Sequence, residues 1–311
     1  MGETVALRTK AGRTLRAVIG ERRTDGVRRW ERQLRRRTAR RLDPRPVATV
    51  EPARRDDVPS DPFADFPAPS QSRHKLLKEL HRTLDPRTYL EIGVHTGSSL
   101  ALSRTRSIGI DPEFQISKEI SCDLQLWRTT SDEYFARVDA GAFFQGVPLD
   151  LAFIDGMHLA EFALRDFMNV EKFMSPAGVV LLDDMLPRNP LEAARHRRTK
   201  AWAGDVFKVA DILRTHRPDL TLVPVNTSPT GTVLVLGLDP TSRVLEDHYD
   251  EALAACLAPD PQTVPDQTLH RVGAVDPATL MASPVWQQLV SLRDSDGTRA
   301  DVDAALAGLT R

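Results

Sequence analysis

Three stretches of this 311-residue chain carry residues whose types and spacing could do chemistry. In Tyr89-Leu-Glu91-Ile-Gly93-Val-His95-Thr-Gly97-Ser98 an apolar run meets a carboxylate and then two glycines. Phe153-Ile-Asp155-Gly-Met-His158 is a second apolar run that ends in a carboxylate, with an imidazole three residues on. Val179-Val-Leu-Leu-Asp183-Asp184 is a third, and it ends in two carboxylates. Glycines after a strand let backbone approach a ligand closely. Carboxylates accept hydroxyl protons or hold hard cations, and an imidazole can take a proton near neutral pH. If the runs are strands of one parallel sheet, all of this gathers at its carboxyl edge, where open α/β sheets bind ligands.

The elements that would position these residues alternate in order. Ser72 can cap a helix through Leu76, Leu77, Leu80 and Leu84, which ends before Asp85-Pro86. Thr88 to Gly93 reads as a strand, with a helix starting over Ser98 to Ser103, and Ser107 to Asp111 as a second strand stopped by Pro112. Leu124 to Arg128 is a weak third strand, followed by a helix over Asp132 to Val138. Leu149 to Asp155 and Val179 to Asp183 are continuously apolar, as strands covered on both faces are. Helical periodicity fills His158 to Met174 between them, and a further helix spans Ala203 to Thr215. Thr221 to Val225 and Thr232 to Leu238 are joined by a short polar segment and should pair as an antiparallel hairpin.

The glycine turn departs from the dinucleotide fingerprint G-x-G-x-x-G, because His95 stands where the second glycine belongs. That disfavours a pyrophosphate and tolerates a smaller group. The second strand ends in Asp111, whose carboxylate can accept both hydroxyls of a ribose. The loop after the third strand brings Ser131 and Asp132 to the edge an adenine would present. Singly each feature has an ordinary reading, such as turn chemistry before Pro112. In this order they suggest an adenosine cofactor without phosphates.

Asp155 and Asp183-Asp184 end two strands separated by one helix. Adjacent strands lie about 4.8 Å apart, and three carboxylates that close repel one another without a cation. Oxygen ligands suit Mg²⁺ better than zinc. The plain alternative is that Asp183 or Asp184 caps the segment before Pro187. His158, beside Asp155, is the catalytic base, a helix cap, or a support for the metal ligands. The cationic stretch after Asp184 contains Arg188 and Trp202 and should form a lid or wall of an acceptor pocket, with the surface-loop reading open beside it.

At these residues the chain resembles the class I S-adenosylmethionine-dependent methyltransferases. Glu91-Ile-Gly93-Val-His95-Thr-Gly97-Ser98 is similar to their first motif, and Gly109-Ile-Asp111 to their acidic second. The likeness is nearest to the metal-dependent O-methyltransferases of the macrocin and mycinamicin type and, more distantly, to catechol O-methyltransferase. It covers about residues 72–238. It implies an α/β fold, a Rossmann-like doubly wound seven-stranded sheet, mostly parallel with one antiparallel strand in a C-terminal hairpin. It also implies S-adenosylmethionine held by Glu91, Gly93, Gly97, Ser98, Asp111, Ser131, Asp132 and Asp155, and Mg²⁺ or another divalent cation on Asp155, Asp183 and Asp184. Asp155 and His158 would be the catalytic pair, His158 standing where the catechol enzymes carry a lysine. Arg188 and Trp202 would meet a small-molecule hydroxyl acceptor from natural-product or sugar tailoring. The rivals are a cephalosporin-hydroxylase-like tailoring enzyme, against which the lack of a two-His-one-carboxylate triad argues, and an RNA methyltransferase.

The ends of the chain differ in character. Residues 1–45 carry 15 Lys or Arg against 5 Asp or Glu, although the whole chain has a net charge of −1. Residues 1–42 read as a basic helical arm, in which Val27, Trp30 and Leu34 share a helix face. The arm suits a solvated helix that packs on a partner subunit or on the catalytic domain better than a tether for nucleic acid, anionic lipid or an acidic carrier protein, because no aromatic stacking pattern accompanies the charge. Residues 43–70 hold seven prolines and read as a linker. Residues 71–238 form the cofactor-binding domain and 239–311 a C-terminal helical extension. Cys122 and Cys256 have no metal spacing and suit a reduced compartment. With no membrane-length apolar run and no signal-peptide core near Met1, a cytoplasmic protein is expected.

Overall fold

In the computed structural model, which describes residues 61–309, the apolar runs pair into one seven-stranded sheet. Its strands are β1 (Thr88–Ile92), β2 (Arg106–Ile110), β3 (Leu124–Trp127), β4 (Leu149–Ile154), β5 (Met174–Leu182), β6 (Thr221–Val225) and β7 (Thr232–Leu236). They lie in the order β3-β2-β1-β4-β5-β7-β6. All neighbours are parallel except β7, which runs antiparallel to both β5 and β6. The order reverses between β1 and β4. A doubly wound sheet opens its ligand crevice at that point, and β1 and β4 carry the glycine turn and Asp155. The expected Rossmann-like sheet with one reversed strand is the observed one. The basic arm, and the proline-rich segment before residue 61, lie outside the described residues.

Alternation along each strand divides the core into two layers. Leu90, Ile92, Ala152, Ile154, Val180 and Leu182 face one side, and Tyr89, Leu151, Phe153, Val179 and Leu181 the other. The first side is covered by α2 (Ser131–Arg137), α3 (Ala160–Glu171), α4 (Lys208–His216) and α5 (Tyr249–Cys256). The second is covered by α1 (Arg73–Leu84) together with α6 (Val285–Asp294) and α7 (Arg299–Leu306). The C-terminal helices thus complete a layer of the sheet, with Trp286 fully buried among them and its Nε1 donating to the Leu280 carbonyl at 2.8 Å. α1 forms as its sequence dictates: Ser72 accepts from the Lys75 N–H, and the buried Leu76, Leu77, Leu80 and Leu84 share one face.

Three elements differ from expectation. The helix after the glycine turn is a single 3₁₀ turn, Leu100–Leu102. Its flanking hydroxyls are drawn into the core, Ser99 to Glu91 and Ser103 to Ser107, and this ties down both ends of a short connection. β5 begins at Met174, five residues early, and a register shift against Leu149 and Leu151 absorbs Pro176 and Gly178. α4 begins at Lys208 rather than Ala203, because Asp205 turns inward to cap α3, accepting from the Ala160 N–H at 2.9 Å.

Residues 61–72 lie against the sheet. Phe66 is buried, Pro67 accepts from Asn226 Nδ2 at 2.9 Å, and Gln71–Ser72 forms a short parallel ladder with Thr227–Ser228. Among the described residues no helix is long and apolar enough to cross a membrane.

Candidate active site

β1 leaves the sheet at Gly93, whose φ of +93° a side chain would strain. A Cβ at this position would sit 1.7 Å from the carbonyl oxygen of Asp155, so the turn and the end of β4 touch backbone to backbone. Glu91 lies beneath the turn. It is wholly buried and accepts from the Tyr89 hydroxyl at 2.7 Å and the Ser99 hydroxyl at 2.6 Å. Burial pushes its pKa up to about 8, against the pull of those two donors. Asp111 is half-buried at the end of β2. One of its oxygens accepts the His95 N–H at 2.7 Å and the other the Glu113 N–H at 2.6 Å. It therefore pins the glycine loop while each oxygen keeps a lone pair for a ligand hydroxyl. Gly97 is buried in the same loop, and Ser98 shares a hydroxyl contact of 3.0 Å with Thr96.

Asp155, Asp183 and Asp184 meet at the ends of β4 and β5, as the strand pairing requires. His158 reaches back over them, with Nε2 3.3 Å from Asp155 Oδ1 and Nδ1 3.2 Å from Asp184 Oδ2. Its Nδ1 also lies 2.8 Å from the Trp202 carbonyl oxygen. Thr230 donates its hydroxyl to Asp184 Oδ1. On the other side stands Arg73, with Nε 2.6 Å from Asp183 Oδ2 and Nη2 3.6 Å from Asp155 Oδ2. Burial drives the pKa of Asp183 well above the carboxylate range, and the charges of Asp184 and Asp155 add to it. Asp184 is raised by burial and by Asp155, with His158 opposing. Burial disfavours a charged His158, but the hydrogen bond to Asp155 and the charges of Asp184 and Asp155 outweigh it and hold the ring near pKa 9.

The donor set suits a divalent cation. One ligand atom each from Asp155, His158 and Asp184 falls within 4.8 Å of the others. Asp183 Oδ2 is a buried oxygen without an aligned hydrogen bond, since Arg73 Nε approaches it off-line. Two carboxylates and one imidazole, with a third carboxylate adjacent, fit the oxygen-rich coordination of a hard ion.

Residues 90–185 match the family model described as a methyltransferase domain. The matched stretch holds Gly93, Asp111, Asp155, His158, Asp183 and Asp184. Among solved structures the chain is similar to the O-methyltransferase TomG from Streptomyces achromogenes, involved in tomaymycin synthesis and solved with SAM. The two are 21% identical over 54% of this chain and 80% of that one, with a TM-score of 0.42. An O-methyltransferase from Bacillus cereus in complex with SAH is 15% identical, covering 56% of this chain and 85% of its own, with a TM-score of 0.39. The SAH-bound methyltransferase PaMTH1 of Podospora anserina is 12% identical, covering 77% and 100%, with a TM-score of 0.40. No curated protein matches the chain.

The remaining expected site residues take the following places. Ser131 opens α2 and hydrogen-bonds Asp166, and Asp132 pairs with Arg165 at 2.7 Å. Trp202 stacks on the His158 ring, centroids 5.2 Å apart and planes at 14°, while its Nε1 donates to the Ala194 carbonyl. It therefore lines the acidic site. Arg188 does not project freely, because it is half-buried against Glu192, with Nε 3.0 Å from the carboxylate. Arg195 is likewise held by Glu161 and Asp205. The cations of this stretch fasten the wall to α3 and to itself.

Three residues at or near the site had escaped the sequence reading. Arg73 and Thr230 lie far along the chain from the carboxylates they touch, and no motif contains them. Asp166 does carry a signal, as a carboxylate placed between the core positions Leu164 and Phe167 of α3. It is buried, its pKa is pushed up to about 7 by that burial, and its Oδ1 has no partner.

Proposed function

We propose that this domain transfers the methyl group of S-adenosylmethionine to a hydroxyl of a small molecule, a natural product or sugar bearing vicinal hydroxyls, with a divalent cation such as Mg²⁺ assisting. The observation that carries the reading is the contact between Gly93 and Asp155, which joins the glycine turn and Asp111 to the acidic site at one sheet edge. Gly93, Gly97 and Ser98 would bring backbone against the cofactor, Asp111 would accept its ribose hydroxyls, and Ser131 and Asp132 would border the base. Glu91 would act from below, holding the turn through Ser99. Asp155, which faces both the turn and the carboxylate pair, would separate donor from acceptor.

Asp155, Asp183 and Asp184 would hold the cation, which when bound lowers the pKa of an acceptor hydroxyl. His158, clamped between Asp155, Asp184 and the Trp202 ring, is held as an imidazolium while those carboxylates face it, and it would take the hydroxyl proton once a cation takes up their charge and so lowers its pKa. The hydroxyl oxygen would bond to the methyl carbon as the sulfur–carbon bond breaks, leaving S-adenosylhomocysteine. Positioning the two reactants in line would supply much of the acceleration. Trp202 offers a flat wall for the acceptor.

Calorimetry with S-adenosylmethionine tests the cofactor assignment. Wild-type protein should bind it, and Asp111→Ala should weaken binding by about 1.5–3 kcal/mol, the range for a charged hydrogen bond. No binding by the wild type, or binding of NAD in its place, refutes the reading.

A further inference from the structure

Arg73 is the first residue of α1, and its guanidinium lies across two carboxylates from two strands, Asp183 on β5 and Asp155 on β4. His158 in turn spans Asp155 and Asp184. The site therefore alternates negative and positive groups around its rim. The Asp183 side chain is 1% exposed, whereas that of Arg73 is 23% exposed, so the guanidinium comes in from the solvent side. The contact to Asp183 is close but off-line, and Arg73 Nε, like Asp183 Oδ2, lacks an aligned hydrogen bond. A Mg²⁺-like ion holds its oxygens at about 2.1 Å. An ion that close to Asp183 Oδ2 would stand within about 5 Å of a guanidinium nitrogen 2.6 Å from the same oxygen, and the two positive charges would repel one another in this buried site.

We propose that Arg73 is the resident counter-cation of this site, and that a divalent cation reaches Asp183 only when Arg73 swings out. Arg73 thereby sets the metal affinity of the site. This rests on the assignment of the three carboxylates as cation ligands. The side chain is tethered at the start of a capped helix, so it returns when the ion leaves. The emptied site then does not hold three adjacent carboxylates without a cation.

The test is Mn²⁺ binding to the full chain, read by the loss of the free-ion electron paramagnetic resonance signal. It compares the wild type with Arg73→Met and Arg73→Lys, and thermal melts check folding. Arg73→Met should bind Mn²⁺ on the order of 10- to 100-fold more tightly, the weight of one charged pair. Arg73→Lys keeps the charge without the fork, so it should fall between the other two and stand in for Arg73→Met if that variant does not fold. Equal affinities across the proteins that fold, or no Mn²⁺ binding by any of them, overturn the role given to Arg73. S-adenosylmethionine calorimetry on the same samples reads the methyl-transfer assignment separately.

Discussion

Replacing Glu91 with glutamine should make the domain more stable than the wild type at pH 8 while helping little at pH 5. Glu91 is wholly buried, and its pKa rises from 4.5 to about 8 on folding, burial being the largest cause. Above pH 4.5 the unfolded chain releases this proton, and the folded domain keeps it until about pH 8. The protonated carboxyl therefore contributes stability that is fully present below pH 4.5 and is lost as pH rises through the folded value. The slope is about 1.4 kcal/mol per pH unit, so the loss from pH 5 to pH 8 amounts to about 3–4 kcal/mol. Glutamine has the shape of the protonated acid and no proton to lose. Its amide oxygen can accept from Tyr89 or Ser99, which limits the cost at pH 5 to about 1 kcal/mol. Urea unfolding of both proteins at pH 5, 6, 7 and 8 gives the readout. The informative quantity is the difference between the two curves, in which groups common to both cancel. That difference should move by about 3–4 kcal/mol in favour of the variant across the range. A constant difference would mean that Glu91 is ionised in the folded domain, and the picture of a neutral prop beneath the turn would fail.

Two further substitutions probe the turn and the imidazole. Gly93→Ala combines a positive-φ cost of about 1–2 kcal/mol with overpacking against the Asp155 carbonyl of about 1–3 kcal/mol. It should lower the melting temperature and weaken S-adenosylmethionine binding together, and an alanine variant with normal affinity would contradict the contact between the turn and β4. His158→Ala should cut methyl transfer by about 10²–10⁴-fold while S-adenosylmethionine binding measured by calorimetry persists; an unchanged rate would remove the imidazole from the proton path.

Most of the sheet was legible because its strands are buried on both faces and so read as unbroken apolar runs. That β4 and β5 are neighbours followed from the single helix between them, and the terminal hairpin from its short polar connection. The carboxylates were legible for the same reason, since a charged residue at the end of such a run must emerge at the sheet edge. Boundaries were lost where a polar side chain served a distant element. Asp205 reads as part of a helix start, yet it caps α3 and delays α4 to Lys208. Glu91 reads as a ligand-facing carboxylate, yet alternation along β1 turns it inward beside Tyr89, where Ser99 meets it from the turn. Arg188 reads as a cation that meets the acceptor, yet it pairs with Glu192 only four residues on.

The acidic site shows why one half of a charge cluster is easier to read than the other. Its negative half is written in strands, where register fixes which residues emerge together. Its positive half comes from the first turn of α1 and the start of the segment before α3, and its neutral donor Thr230 from the loop before β7. Local pattern fixes none of these meetings. Adjacent carboxylates that are this deeply buried demand cations, so the sequence does announce that partners exist. It cannot say whether they are ions from solution or side chains of the same chain. Arg73 brings the second kind into a site whose donors suit the first, and that competition is what the Mn²⁺ measurement reads.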